Sequence, residues 1–134
     1  MNDGMGEYVA NQVVKLMLKK GVQVLGANIL ILGFTFKENC PDVRNTKVVD
    51  IVKALKEYNL NITIYDPWAN PEIAKEEYGI EIINVLPKAR YHALVLAVAH
   101  DEFLELNINS LLLDNYVIYD VKGIYDPAII DGRL

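Results

Sequence analysis

The 134-residue chain sets 13 Lys and Arg against 18 Asp and Glu, a formal net charge of −5, with 52% hydrophobic and 23% charged residues. That balance describes one globular domain with an ordinary core and excludes the basic footprint of a nucleic-acid-binding protein. No apolar run reaches the roughly 18 residues of a membrane span, and the first residues lack a signal-peptide pattern. A single cysteine, Cys40, cannot form an internal disulfide, so a reduced, cytoplasmic setting is expected.

The first element is an amphipathic helix over 7–20. Val9, Val13, Leu16 and Met17 share one face, the lysines lie elsewhere, and Gly21 supplies a stop. Its apolar face needs a partner, and the expectation is that residues 1–25 end a helix of an upstream domain while 26–134 form the domain proper. Asn28–Leu32 is a continuous branched apolar run ended by Gly33, hence a buried strand. A second helix is expected over 47–58, with Thr46 as its N-cap and Asp50 in its first turn. Asn61–Tyr65 reads as the second strand, closed by Asp66-Pro67. The helix that follows has Asn70 as cap, Pro71 at its first position and Gly79 past its end. Residues 80–83 predict a short third strand, and Pro87 opens a short helix to about Tyr91. Ala93–Val98 is the fourth strand, Ser110–Leu113 a helical turn, and Tyr116–Tyr119 the fifth strand. Strand and helix alternate throughout. The expected fold is therefore α/β, a Rossmann-like, doubly wound parallel sheet of about five strands preceded by one helix.

Such sheets bind ligands beyond the carboxyl ends of their strands, where the strand order reverses. For an order 3-2-1-4-5, three segments should converge there: the loop Phe34–Thr46, the turn Ala99–Glu102 and the segment Asp120–Gly123. The first loop holds two cations, Lys37 and Arg44, ahead of a helix N-terminus, and Lys122 reaches the same crevice from the last strand. That grouping suits phosphate, and solvated surface charges are the other reading. Gly33 stands alone where a dinucleotide fingerprint needs three glycines. His100 reads as a hydrogen-bonded structural histidine. Asp66 reads as a turn cap before Pro67, with a ribose contact the alternative. Cys40 has no histidine near it in sequence, and no His, Cys or Asp spacing suggests a metal site. The residues describe a binding site without catalytic machinery.

Gly33-Phe34-Thr35-Phe36-Lys37, followed by Pro41-Asp42-Val43-Arg44-Asn45-Thr46, resembles the Gly-x-x-Phe-Lys … Asp-x-Arg-x-Ser/Thr signature of the UDP-glucose/GDP-mannose dehydrogenase family. Tyr65-Asp66-Pro67, Ala97 through Phe103 and Tyr119-Asp120 follow in the family's order and spacing. Asn2-Asp3-Gly4-Met5 resembles the opening of the last central-domain helix in these enzymes. Glu38–Asp42 and Asp120–Gly123 look like the branch that oxidises UDP-N-acetylhexosamines.

The resemblance implies two successive NAD-dependent oxidations of a sugar C6 hydroxyl to a carboxylate, for surface-polysaccharide synthesis. It also implies a cysteine nucleophile in a central domain and an NAD-binding N-terminal domain, both outside this chain; Cys40 does not match that nucleophile. Phe36 and Lys37 match positions that contact the UDP-sugar, the lysine near the diphosphate. Arg44 matches an arginine that reaches NAD across the domain interface. Lys122 falls where glucose-oxidising relatives have a substrate-contacting arginine, so the charge is kept and the bidentate fork lost. The expected partners are a UDP-sugar and the missing N-terminal and central domains of a homo-oligomeric enzyme, with no nucleic acid and no membrane; the 134 residues alone are expected to be inactive. The alternatives are a UDP-glucose 6-dehydrogenase of the same family and a free-standing nucleotide-binding module.

Overall fold

A computed structural model describes residues 4–134. The chain forms helix α1 (Met5–Lys19), strand β1 (Asn28–Leu32), helix α2 (Val48–Lys56), strand β2 (Asn61–Tyr65) and helix α3 (Pro71–Tyr78). Strands β3 (Tyr91–Leu96), β4 (Leu112–Asp120) and β5 (Gly132–Arg133) follow, with two 3₁₀ turns, Asp101–Leu104 and Ile108–Leu111, between β3 and β4. The five strands run parallel in the order β2-β1-β3-β4-β5. The chain grows outward from β1 in one direction, then returns to add β3, β4 and β5 on the other side. The reversal between β1 and β3 is the expected switch point.

Alternate residues of each strand feed two cores, as the period of two requires. Ile29, Ile31, Ala93, Val95, Val117 and Tyr119 face the helices, while Leu30, Leu32, Leu94, Leu96 and Ile118 face the other way. The helices do not divide between the faces. α1, α2 and α3 all pack on the first, and the second is closed by Phe103, Ile108, Leu111 and Tyr125 from the 3₁₀ turns and the C-terminal loop.

The apolar face of α1, expected to need an absent partner, is buried within this domain. Val9, Ala10, Val13 and Met17 are fully buried in the same core as α2 and β4. The two helices approach closely because Gly6 has no side chain: a Cβ there would lie 2.6 Å from the backbone of Asp50. Asn2 and Asp3, part of the N-terminal resemblance, lie outside the described residues.

β1 and β2 fall where the sequence places them, and α3 has the expected caps. Asn70 Oδ1 accepts the N–H groups of Glu72 and Ile73, and Gly79 takes the left-handed conformation, φ 67°. The N-cap of α2 falls on Lys47 and not on Thr46 as expected, although Thr46 Oγ1, one residue earlier, accepts the Val48 N–H at 3.2 Å. Residues 80–83 are not a strand. Only Ile83 bridges Tyr65, on the edge of β2 away from β1, so the third strand shrinks to one rung. The helix expected from Pro87 to Tyr91 is also absent: too short to repay nucleation, the segment instead delivers Tyr91 into β3 opposite Leu112. β3 begins two residues earlier than expected and stops at Leu96, where the N–H groups of Ala97 and Val98 both turn onto the Leu32 carbonyl, at 2.9 and 3.3 Å.

Beyond β4 the sheet edge is nearly bare of strand, because β5 pairs only with Tyr119 and Asp120. Side chains take over the ladder. Asp131 Oδ2 accepts the Ile118 N–H at 2.7 Å while the Asp131 N–H donates to the Ile118 carbonyl at 2.8 Å. Lys20 Nζ donates to the Tyr116 carbonyl and pairs with Asp131 at 3.1 Å.

Candidate functional site

At the switch point, Gly33 brings β1 and β3 into close approach. Its φ is 97°, and a Cβ would sit 2.5 Å from Val98 Cβ. The glycine therefore serves close packing between the two strand ends. The residue after it starts a loop that runs outward and returns, closed by the Phe36 N–H donating to the Asp42 carbonyl at 2.7 Å.

A cleft of about 130 Å³ opens where the strand ends meet the start of α2. Thr35 and Phe36 form one wall, Thr46, Lys47, Val48 and Ile51 another, Ala97 and Val98 the floor, and Val121 and Lys122 the side next to β4; Met5 reaches it from α1. Two of the three expected segments thus converge. The third differs: the two residues just past β3, Ala97 and Val98, line the cleft, whereas Ala99–Glu102 lies behind the first loop, where His100 meets Thr35, Asn39 and Asp66. Sequence reasoning did not anticipate Met5 or Lys47 here. The polar run Asn45-Thr46-Lys47 ahead of the helix was the signal that the start of α2 belongs to the site.

Phe36 and Lys122 line this cleft, and both are exposed, Phe36 by 54%. An exposed phenyl ring beside backbone N–H groups and an ammonium offers a stacking surface next to an anion site. Lys37 follows Phe36 on the loop with its side chain in solvent and, against expectation, does not line the cleft. Arg44 lies further along the loop and is not free: its Nε meets Asp42 Oδ1 at 3.1 Å, and the same oxygen accepts the Arg44 N–H at 2.9 Å. Those two donors hold the Asp42 carboxyl below the usual carboxylate range.

Below the rim the loop is anchored by buried polar groups. Asp66, at the end of β2, has no exposed surface. Its Oδ1 accepts the N–H groups of Trp68 and Ala69 at 2.8 and 3.0 Å, the turn cap expected from sequence. Its Oδ2 reaches across to β1 and accepts from Phe34 and Thr35 at 2.7 and 3.1 Å, and meets His100 Nε2 at 3.0 Å. Burial pushes the Asp66 carboxyl up, but the His100 hydrogen bond and the Phe34 N–H outweigh it and leave the group below its ordinary value. Both roles foreseen for this pair, turn cap and structural histidine, are what the geometry shows.

Asp120 ends β4 in the same manner. Fully buried, it accepts from Lys122 and Gly123 on Oδ1 and from Tyr125 on Oδ2, fixing the turn that carries Lys122. Tyr125 continues inward, donating to the Phe103 carbonyl at 2.8 Å, and burial pushes its phenol up. No group of three or more metal-ligating side chains occurs among the described residues, and none of their helices is long and apolar enough to cross a membrane.

Comparison with known proteins gives this arrangement a family. Residues 30–127 match the UDP binding domain of the UDP-glucose/GDP-mannose dehydrogenase family. The chain is 49% identical over its whole length to a UDP-N-acetyl-D-glucosamine 6-dehydrogenase of Pseudomonas aeruginosa, of which it covers 32%, and 43% identical to that of Salmonella typhi, again over 32% of the relative. Over 92% of its length it is 41% identical to the Staphylococcus aureus protein CapL, covering 30% of it. The chain thus spans about a third of the length of these relatives. Among solved structures, an NDP-N-acetyl-D-galactosaminuronic acid dehydrogenase from Methanosarcina mazei superposes with a TM-score of 0.83 at 21% identity, over 98% of this chain and 29% of that one. A UDP-D-ManNAc dehydrogenase from Pyrococcus horikoshii gives 0.76 at 20% identity, over 98% and 31%. The chain belongs to the UDP-glucose/GDP-mannose dehydrogenase family, and its residues 30–127 match that family's UDP binding domain.

Proposed function

We propose that this chain is the C-terminal, substrate-binding part of an NAD-dependent UDP-N-acetylhexosamine 6-dehydrogenase, which oxidises the sugar C6 hydroxyl to a carboxylate for surface-polysaccharide synthesis. The observation that carries the reading is the cleft at the sheet's switch point, where Phe36 and Lys122 flank the capped start of α2. The names of the relatives at 49% and 43% identity favour N-acetylglucosamine as the sugar. In this reading Phe36, Lys37 and Lys122 receive the UDP-sugar, with the lysines on the diphosphate. NAD, held mainly by an N-terminal domain, supplies the hydride acceptor for both oxidations. Arg44 reaches toward that cofactor, and Asp42 holds its guanidinium at the loop's outer edge until it does.

The segment up to residue 25, with α1, belongs to the end of a central domain, so α1 serves both units, and the family match beginning at residue 30 supports a boundary near 26. The full-length enzyme is a homo-oligomer. The unpaired Cys40 favours the cytoplasm.

The test is a panel of UDP-sugars offered with NAD to the full-length protein, with NADH followed optically. Two NADH per UDP-N-acetylhexosamine, and little turnover of UDP-glucose, is the expected result; the reverse preference overturns the branch. Calorimetry then divides the loop between its ligands. Lys37→Ala should weaken UDP-sugar binding by roughly one to two orders of magnitude, since a charge-assisted contact to phosphate is lost. Arg44→Ala should instead weaken NAD. An Arg44→Ala variant that keeps its NAD affinity and loses UDP-sugar would make the loop a clamp for one ligand.

A further inference from the structure

We propose that His100 is a positioning residue for sugar-nucleotide binding, holding in place the loop that carries Phe36 and Lys37. This inference rests on the reading of that loop as a UDP-sugar contact. His100 has no exposed surface, and both ring nitrogens are engaged. Nδ1 lies 2.9 Å from the backbone nitrogen of Asn39, whose N–H donates to it, so the ring proton sits on Nε2, facing Asp66 Oδ2 at 3.0 Å. The ring plane is fixed by Trp68, stacked at 6.0 Å and 26°, and by Phe103 at 5.3 Å.

The bond to Asn39 comes at a conformational cost, since Asn39 takes φ 54°, a region that side chains other than glycine seldom adopt. Its own side chain repays part of it, as Oδ1 accepts the Asp101 N–H at 3.0 Å. Closer to β1, Thr35 Oγ1 lies 3.2 Å from His100 Nε2 and donates to the Lys37 carbonyl at 2.9 Å. Residues 35, 37 and 39 are thereby tied down from below, while the side chains of Phe36 and Lys37 stand in solvent above. Packing alone would be met by any ring of that size. The use of both nitrogens, one on a fixed carboxylate and one on the loop backbone, is what an anchor requires. A loop held before the ligand arrives loses less conformational freedom on binding, which raises affinity without a direct contact.

Two substitutions in the full-length protein separate anchoring from simple packing. His100→Gln keeps an N–H near the position of Nε2 for Asp66 and offers no acceptor to Asn39. His100→Asn keeps an acceptor near Nδ1 and gives up the Asp66 bond. With UDP as the probe in calorimetry, His100→Gln should weaken binding roughly ten-fold. His100→Asn should bind more tightly than His100→Gln even where its melting temperature is lower. Hydrogen–deuterium exchange over residues 36–42 should quicken in His100→Gln without any ligand. The loss should also be smaller in a Lys37→Ala background, because the histidine acts in part through that lysine.

If UDP affinity in the two variants simply follows their melting temperatures, or if the effects of His100→Gln and Lys37→Ala add, His100 is a core residue only and the proposal is overturned. If Phe36→Ala and Lys37→Ala both bind UDP as the unaltered protein does, the reading of the loop as a UDP contact fails by itself. The anchor is then judged by exchange, and unchanged exchange over 36–42 in His100→Gln overturns it as well.

Discussion

Two strands of this sheet end in the same dipeptide, Tyr65-Asp66 on β2 and Tyr119-Asp120 on β4, and the two carboxylates do different work. Both are fully buried and both cap the turn that follows them. Asp120 spends its second oxygen locally, on Tyr125 five residues on. Asp66 spends its second oxygen on Phe34, Thr35 and His100, more than thirty residues away in either direction. One aspartate shapes a turn; the other joins three strand ends. A local motif predicts the first role in both cases, and only the strand order can supply the second.

Removing the joint should cost far more than removing the turn cap. Asp66→Ala strands four backbone N–H groups and the His100 Nε2–H in the interior, and should lower stability by about 4 kcal/mol or more in urea titrations. Asp120→Ala frees three N–H groups, two of them on the partly open turn at Lys122 and Gly123, and should cost about half as much. Equal losses would erase the distinction between the two sites.

Acid sharpens it. The Asp66 carboxyl is lowered in the fold, so the unfolded chain takes up the proton first as pH falls. The stability that this group contributes is complete above the ordinary carboxylate value near 3.8 and drains away below it, as pH approaches the lower folded value. Asp66→Asn should therefore flatten the acid limb of the stability curve below about pH 4. A limb as steep in the variant as in the unaltered protein would assign it to other carboxylates.

The smallest effect belongs to a cap of the ordinary kind. Thr46→Ala removes the acceptor for the Val48 N–H together with one methyl group of the cleft wall and should cost about 1 kcal/mol in the same titration. A loss as large as that of Asp66→Ala would mean that the start of α2 is as heavily coupled as the end of β2.

The same division explains what the sequence disclosed. β1 and β2 were legible as short branched runs, α3 as a cap, proline and glycine in series, and the crevice followed from strand order alone. β4 was read short because Asp114 and Asn115, exposed at its start, interrupt the apolar pattern. The rung at Ile83 replaced a strand because pairing there depends on the edge of β2, which no periodicity reports. The seat of α1 was misjudged for a similar reason. Its apolar face announces that it must be covered, and only the contact between Gly6 and Asp50 says by what. At the cleft, Lys122 arrived as its strand position suggested, but Lys37 and Arg44, expected beside it, do not line the cleft and Phe36 does. The link from Asp66 through His100 to Asn39 joins residues whose distances in sequence carry no signal.

The bare flank of β4 has a consequence for how this domain behaves in company. Parallel sheets recruit stray chain segments through unclaimed amide and carbonyl groups on their outermost strand. Here the Tyr116 carbonyl, the Ile118 N–H and the Ile118 carbonyl are already claimed, by the Lys20 ammonium, the Asp131 carboxylate and the Asp131 N–H. An approaching strand would have to displace an ion pair to gain its first bond, and it would meet charge where it needs a neutral ladder. The flank is closed to templated growth without a helix being placed over it.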